Sequence, residues 1–208
     1  MTERRRGVAA FDFDGTITRK DTLGPFLVHY LGRRRLLRAG VPHVHRLGGA
    51  AIGRVDRDLA KERYFVSLLA GRPAAELAAA GAEYATRVLD RAPFNREVVD
   101  RMAWHAEVGH DIVVISASLA VYVAPVVATL GAAATFATEV EVAADGTLTG
   151  RLVDGNVRAA NKVARLTTWL RGEDAEVWAY GDSAGDAELL AAADHPHRVR
   201  RGRIDPTR

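Results

Sequence analysis

The chain of 208 residues has no cysteine. That excludes a disulfide framework and any thiolate-held metal, and it fits a reducing compartment, so a cytoplasmic location is expected. No run approaches the roughly 18 uncharged apolar residues of a membrane span, and no transmembrane helix is expected. The opening M-T-E-R-R-R-G is basic but has no apolar stretch of signal-peptide length. The arginine-rich stretch R-R-R-L-L-R at 33–38 has no interleaved aromatic residue. It lacks the stacking surface of a nucleic-acid platform, and no nucleic-acid partner is expected.

What is present is an ordinary globular balance, 48% apolar and 26% charged residues. The length suffices for one full domain, or for a domain with an insertion. The net charge of +3 hides an asymmetry, because residues 1–54 carry 11 Lys and Arg against 4 Asp and Glu. Such a basic front end suits an anionic ligand or peripheral contact with a membrane surface, and equally a solvated arginine-rich face.

Short apolar runs mark the strands. Val8–Phe13, Asp111–Ser116 and Val177–Tyr180 read as strands, and a weaker one surrounds Ala134–Thr138. Helical patterns fall between them, over Asn95–Val108, Leu119–Leu130, Lys162–Leu170 and Ala184–Ala193. Alternating strands and helices, with near-continuous apolar strands, predict an α/β fold with a doubly wound, Rossmann-like parallel sheet. Residues 22–92 break the alternation. Pro25–Arg38, Asp56–Leu69 and Pro73–Arg91 all read as helix, with Asp56 as an N-cap, and no strand intervenes. A hairpin is expected across Asp145-Gly146.

Four polar groups stand at strand ends or a helix start: Asp12 and Asp14 in D-F-D-G-T, Ser116 in V-V-I-S, Lys162, and Asp182 in G-D-S-A-G-D, which also holds Asp186. Ligands of open parallel sheets bind beyond the carboxyl ends of the strands. Four carboxylates in one pocket repel, by about 4 kcal/mol per pair 4 Å apart at an effective dielectric near 20. They need a cation or shifted pKa values. Oxygen ligands without His or Cys suit a hard ion, Mg²⁺ before Zn²⁺ or Cu²⁺. Lys162, Ser116 and helix-start N–H groups complement phosphate oxygens.

D-F-D-G-T, V-V-I-S, Lys162 in N-K-V-A-R-L and G-D-S-A-G-D resemble, in order, the four motifs of the haloacid dehalogenase-like phosphohydrolases. The layout is most similar to the branch (subfamily IB) holding phosphoserine phosphatases and phosphatidylglycerophosphatase C-like proteins. The resemblance implies a core domain at 1–20 and 93–208 and a helical type-1 cap domain at 21–92, inserted after the first strand. It implies a Mg²⁺-dependent phosphomonoesterase acting on a small phosphorylated metabolite. Asp12 is then the nucleophile and forms an aspartyl-phosphate. Asp14 is the general acid and base. Mg²⁺ is held by Asp12, Asp14 (through its backbone carbonyl) and Asp182. Ser116 and Lys162 bind phosphate, Gly15 permits the tight turn beside it, and Asp186 supports the metal site or orients Lys162. Asp21 and Arg63 are matched loosely to substrate-specificity positions. The chain departs from phosphoserine phosphatases in D-G-T for D-S-T and in Gly185 where Asn is typical.

Two other functions fit the same residues: a lipid-phosphate phosphatase of the phosphatidylglycerophosphatase C type, and a phospho-acceptor signalling domain without turnover. Ser118 reads as a helix cap or a second phosphate donor. Phe26, Leu27, Tyr30 and Leu31 read as cap core. Trp104, Trp169 and Trp178 read as core, and His43, His45, His195 and His197 as surface or packing residues in loops.

Overall fold

The computed structural model describes residues 5–40, 57–91 and 93–205. Among these residues strand β1 (Arg6–Phe11) is followed by helices α1 (Leu23–Leu31), α2 (Arg33–Gly40), α3 (Arg57–Leu69) and α4 (Ala74–Arg91). Then come α5 (Arg96–Glu107), β2 (Asp111–Leu119), α6 (Ala120–Ala128), β3 (Ala134–Thr138), β4 (Val140–Val142) and β5 (Leu148–Leu152). The chain continues through α7 (Ala160–Leu170), β6 (Ala175–Gly181), α8 (Ala187–Ala192), β7 (His195–Arg200) and β8 (Arg203–Ile204). The main sheet has the order β3-β2-β1-β6-β7-β8, and only β8 runs antiparallel to its neighbour.

The period of two along β1 separates two cores. Ala9 and Phe11 join the cluster under α5 and α6, while Val8 and Ala10 join the one under α7 and α8. Strand β2 divides likewise, Ile112 and Val114 against Val113 and Ile115. A sheet buried on both faces needs apolar residues at every position, which is why β1 and β2 read as continuous runs. The sheet is doubly wound, and β1 lies centrally, between β2 and β6. The crevice beyond these three strand ends is the topological switch point.

The described residues of the insertion are helical apart from the connections, one of which forms a bridge from Pro73 to Thr147, and the single helix expected over 25–38 is two. Gly32, at φ 76°, separates α1 from α2. Asp56 and the His43/His45 pair lie outside the described residues. The first apolar cluster runs without interruption from Phe11, Phe13 and Tyr122 into Phe26, Leu27, Phe65 and Leu77 of the insertion. Gly81 on α4 lies so close to α6 that a Cβ there would sit 2.6 Å from the Val121 carbonyl oxygen.

Three expectations need correction. His195 and His197 are not in a loop but on β7, which pairs in parallel with β6. A strand of the composition H-P-H-R-V-R carries little apolar signal; its rings stack instead, His195 on Trp178 at 4.5 Å and His197 on Tyr180 at 4.7 Å. Trp104 is not core but exposed on α5. The helix expected at 184–193 begins as a 3₁₀ turn, Ala184–Asp186, capped by Ser183. On the stripe of α5, His105 occupies a fully buried position beside Val98 and Met102. Its Nε2 lies 2.9 Å from the Tyr180 hydroxyl, and burial pushes its pKa down to about 3.

Candidate active site

Strand β1 ends at Phe11 and the chain turns at Asp12-Phe13-Asp14-Gly15. Gly15 sits at φ 83°, and a Cβ there would meet Asp182 Oδ2 at 2.3 Å. Glycine is therefore required twice, by the backbone conformation and by the approach of Asp182. Asn95 straps the turn down from the start of α5. Its Nδ2 donates to the carbonyl oxygens of Gly15, Thr16 and Thr18, at 3.3, 2.6 and 3.4 Å. From sequence Asn95 read only as a helix start.

Asp12, Asp14, Ser116, Lys162, Asp182 and Asp186 line one cavity of about 270 Å³ at the carboxyl ends of β1, β2 and β6. Lys162 is carried by the first turn of α7 and is almost wholly buried. Its ammonium donates to Asp12 Oδ1 at 2.5 Å and Asp186 Oδ1 at 2.6 Å. The other Asp186 oxygen accepts from the Ser183 amide at 3.0 Å and hydroxyl at 2.8 Å. A Cβ at Gly181 would lie 2.4 Å from Asp186 Cβ, so that glycine lets the acid fold back over the strand end.

One ammonium serves two carboxylates, and the deficit shows in the electrostatics. Burial pushes the Asp12 carboxyl up to about 7, against the pull of Lys162 and with help from Asp186. Burial also raises Asp182, again helped by Asp186. Lys162 stays protonated because its two carboxylates outweigh the cost of burying it, and its pKa is raised.

Asp14 faces the insertion. Its Oδ1 accepts from the amide and hydroxyl of Thr22, at 2.7 and 2.6 Å, and its Oδ2 accepts from the Ser118 hydroxyl. Burial raises its pKa, although these hydroxyls oppose the shift. Ser118 thus neither caps α6 nor stands free for a ligand; it holds Asp14. Ser116 Oγ accepts from the Ser118 amide at 3.0 Å.

The specificity positions divide. Asp21 lines the cavity, is exposed, and accepts from the Gly24 amide at 3.0 Å. Arg63 is exposed on α3 and does not line the cavity; Lys61, two residues earlier, does. Lys61 donates to the Ala117 carbonyl at 2.5 Å and to Asn156 Oδ1 at 2.6 Å, tying the insertion to the core. Arg158 and Ser183 also line the cavity. Neither Lys61 nor Arg158 was singled out from sequence. Arg158 carried one signal, a basic residue four positions before Lys162 in N-V-R-A-A-N-K.

Carboxylate oxygens of Asp12, Asp182 and Asp186 lie within 4.8 Å of one another. Among the described residues no other side chain bonds to the Asp182 carboxylate. An oxygen-only donor set short of positive charge fits a hard divalent ion.

Residues 9–191 match the haloacid dehalogenase-like hydrolase family. Protein CicA of Caulobacter vibrioides is 33% identical over 200 residues, which cover 94% of this chain and 87% of that protein. The probable phosphatase Rv3661 of Mycobacterium tuberculosis is 30% identical over 204 residues, 92% of this chain and 68% of that protein. A substrate-bound phosphoserine phosphatase structure shares the fold, with TM-score 0.63 at 18% identity over 92% of this chain and 84% of that one. With the sheet order and the cavity already described, the chain belongs to the haloacid dehalogenase-like hydrolases.

Proposed function

We propose that the protein hydrolyses a phosphate monoester of a small metabolite in two displacements through Asp12. The observation that carries this reading is the Asp12–Lys162–Asp186 group at the switch point, in one cavity with Asp14, Ser116 and Asp182. An Asp12 oxygen attacks phosphorus, and the bond to the leaving oxygen breaks. Asp14 gives that oxygen its proton; a carboxyl raised by burial holds a proton nearer to neutral pH than an exposed one. Water then attacks the aspartyl-phosphate, Asp14 takes the proton, and inorganic phosphate leaves with Asp12 regenerated.

Ser116 and Lys162 receive the non-bridging oxygens of the phosphoryl group. Asp12, the backbone carbonyl of Asp14 and Asp182 would hold Mg²⁺, with Asp186 engaged by Lys162 and Ser183 as support. A bound Mg²⁺ supplies positive charge that offsets the approach of a carboxylate to a phosphate dianion. Residues 21–92 act as a cap that selects the leaving group. Lys61, Asp21 and Leu23 put it in the cavity wall, and about 270 Å³ favours a small ester over a bulky one.

The test is phosphate release from p-nitrophenyl phosphate with Mg²⁺, with chelator, and with Zn²⁺ alone. Acid-quenched protein is also analysed by mass for a phosphoryl adduct on the peptide holding Asp12. Turnover that survives chelation, or an adduct on another residue, overturns the assignment.

A further inference from the structure

Among the described residues three cations line the cavity, and two are already engaged. Lys162 is bound to Asp12 and Asp186. Lys61 is bound to the Ala117 carbonyl and Asn156. The third is Arg158. Among the described residues its guanidinium makes neither a hydrogen bond nor an ion pair, although five carboxylates line the same cavity. Elsewhere in the molecule Arg5, Arg6, Arg72 and Arg165 each find a carboxylate. A half-buried guanidinium with its donors unspent, at the mouth of a phosphate cavity, is held for something the protein alone does not supply.

Its position is built. The Arg158 amide donates to the Asn156 carbonyl at 2.8 Å, and the next amide, Ala159, donates to the Gly185 carbonyl at 2.9 Å. Ala159 stands at φ 54° and ψ −129°, a sparsely populated positive-φ conformation that costs a residue with a Cβ about 1–3 kcal/mol. The strained turn delivers Arg158 and then Lys162, whose amide donates to the Ala159 carbonyl at 3.0 Å. Gly185 completes the seat. A Cβ there would lie 3.1 Å from Arg158 Nε and 3.3 Å from its Cγ. Gly185 is not among the positive-φ glycines, so the backbone would accept a side chain. It is the Arg158 side chain that occupies the space.

We propose that Arg158, seated over Gly185, is a substrate-binding residue whose guanidinium receives the phosphoryl oxygens alongside Lys162 and Ser116. The proposal rests on the phosphatase reading of the cavity. A guanidinium offers two parallel N–H donors to a tetrahedral oxyanion, a geometry lysine does not reproduce. Gly185 acts through it as a positioning residue, because a Cβ there would press on Arg158 Nε and Cγ and a longer side chain would compete for the guanidinium's place.

The experiment compares wild type, Arg158→Ala, Arg158→Lys and Gly185→Asn with p-nitrophenyl phosphate and Mg²⁺, and titrates each with inorganic phosphate by calorimetry. Arg158→Ala should lower kcat/KM about 10- to 100-fold and weaken phosphate binding in step. Arg158→Lys should restore only a minor part of either. Gly185→Asn should mimic Arg158→Ala, and the double variant should be no worse than the more impaired single one. Millimolar guanidinium ion should rescue Arg158→Ala but not Gly185→Asn, whose space is filled. Kinetics and phosphate binding within twofold of wild type in Arg158→Ala would overturn the proposal. If wild type hydrolyses no phosphate ester, the phosphatase reading fails by itself. The calorimetric comparison of wild type and Arg158→Ala then still decides whether Arg158 binds phosphate.

Discussion

Strand β1 carries the same ionic arrangement at both ends, one cation between two carboxylates. At its start Arg6 meets Asp111 at 2.7 Å and Glu173 at 2.6 Å, and the guanidinium lies 4.5 Å over the Trp169 ring. Beyond its end Lys162 meets Asp12 at 2.5 Å and Asp186 at 2.6 Å. The distances barely differ. Burial does: side-chain exposure is 37% for Arg6 and 2% for Lys162. Water and salt screen the first group, and it serves as a surface tie between neighbouring strand ends. The second is largely withdrawn from bulk solvent, so two carboxylates on one ammonium leave a charge that a proton, a metal ion or a phosphate-bound state must balance. Geometry alone does not separate a structural ion pair from a reactive one; the dielectric does.

The largest expected contrast is in turnover. Asp12→Asn removes the proposed attacking oxygen and should lower kcat on the order of 10⁴-fold, while Arg6→Met should leave kcat within about twofold. Residual turnover of Asp12→Asn within tenfold of wild type would remove Asp12 as nucleophile. Next is stability. Lys162→Met leaves Asp12 and Asp186 facing each other unpaired, and removing one partner of a buried pair costs about 3–5 kcal/mol. Urea unfolding of the metal-free protein measures this. A cost under about 1 kcal/mol would mean that the ammonium is not what balances the two acids.

The third contrast is in pH. Asp12 is raised from 3.8 to about 7 in the folded state. An acid raised on folding contributes stability that is fully present below its unfolded pKa and lost as pH rises through the folded one. In chelator, wild type should therefore lose stability relative to Asp12→Asn between about pH 4 and pH 7, by about 2 kcal/mol or more, and no further above. Mg²⁺ should reverse the loss at pH 8 and release protons on binding near pH 6. Parallel stability curves with and without chelator would show that Asp12 neither carries the proton nor meets the ion.

The end of β1 proposed to react was also the end that could be read. D-F-D-G-T, Ser116, Lys162 and G-D-S-A-G-D announce themselves because each sets a charged or hydroxyl group where an apolar strand stops. The doubly wound sheet was legible because a strand buried on both faces, such as Ile112–Ile115, is a short β-branched run after the Gly109-His110 break. Strand β7 was hidden because its histidines pack by ring stacking on Trp178 and Tyr180 rather than as aliphatic residues. Lys61 and Arg158 were hidden for a different reason. Their roles depend on which way a helix face and a strained turn point, Lys61 on α3 and Arg158 before Ala159, and neither orientation leaves a mark in residue order. The same holds for Arg63, a charge of the expected kind two residues from the position that reaches the cavity.

The smallest effect belongs to the exposed end. Arg6→Met breaks both ion pairs of β1's first residue but strands no buried charge, since Asp111 and Glu173 remain open to water. Exposed pairs are worth about 0.2–1 kcal/mol each. Part of what remains is the packing of the side chain on Trp169, which Met can keep. The expected loss is about 1 kcal/mol at low salt, shrinking toward zero near 1 M salt, where the Debye length is about 3 Å. Lys162→Met should show far less salt dependence, because ions do not reach a buried pair. If the two variants respond to salt alike, burial is not what separates the two ends of β1, and the reactive character of Asp12 needs another source.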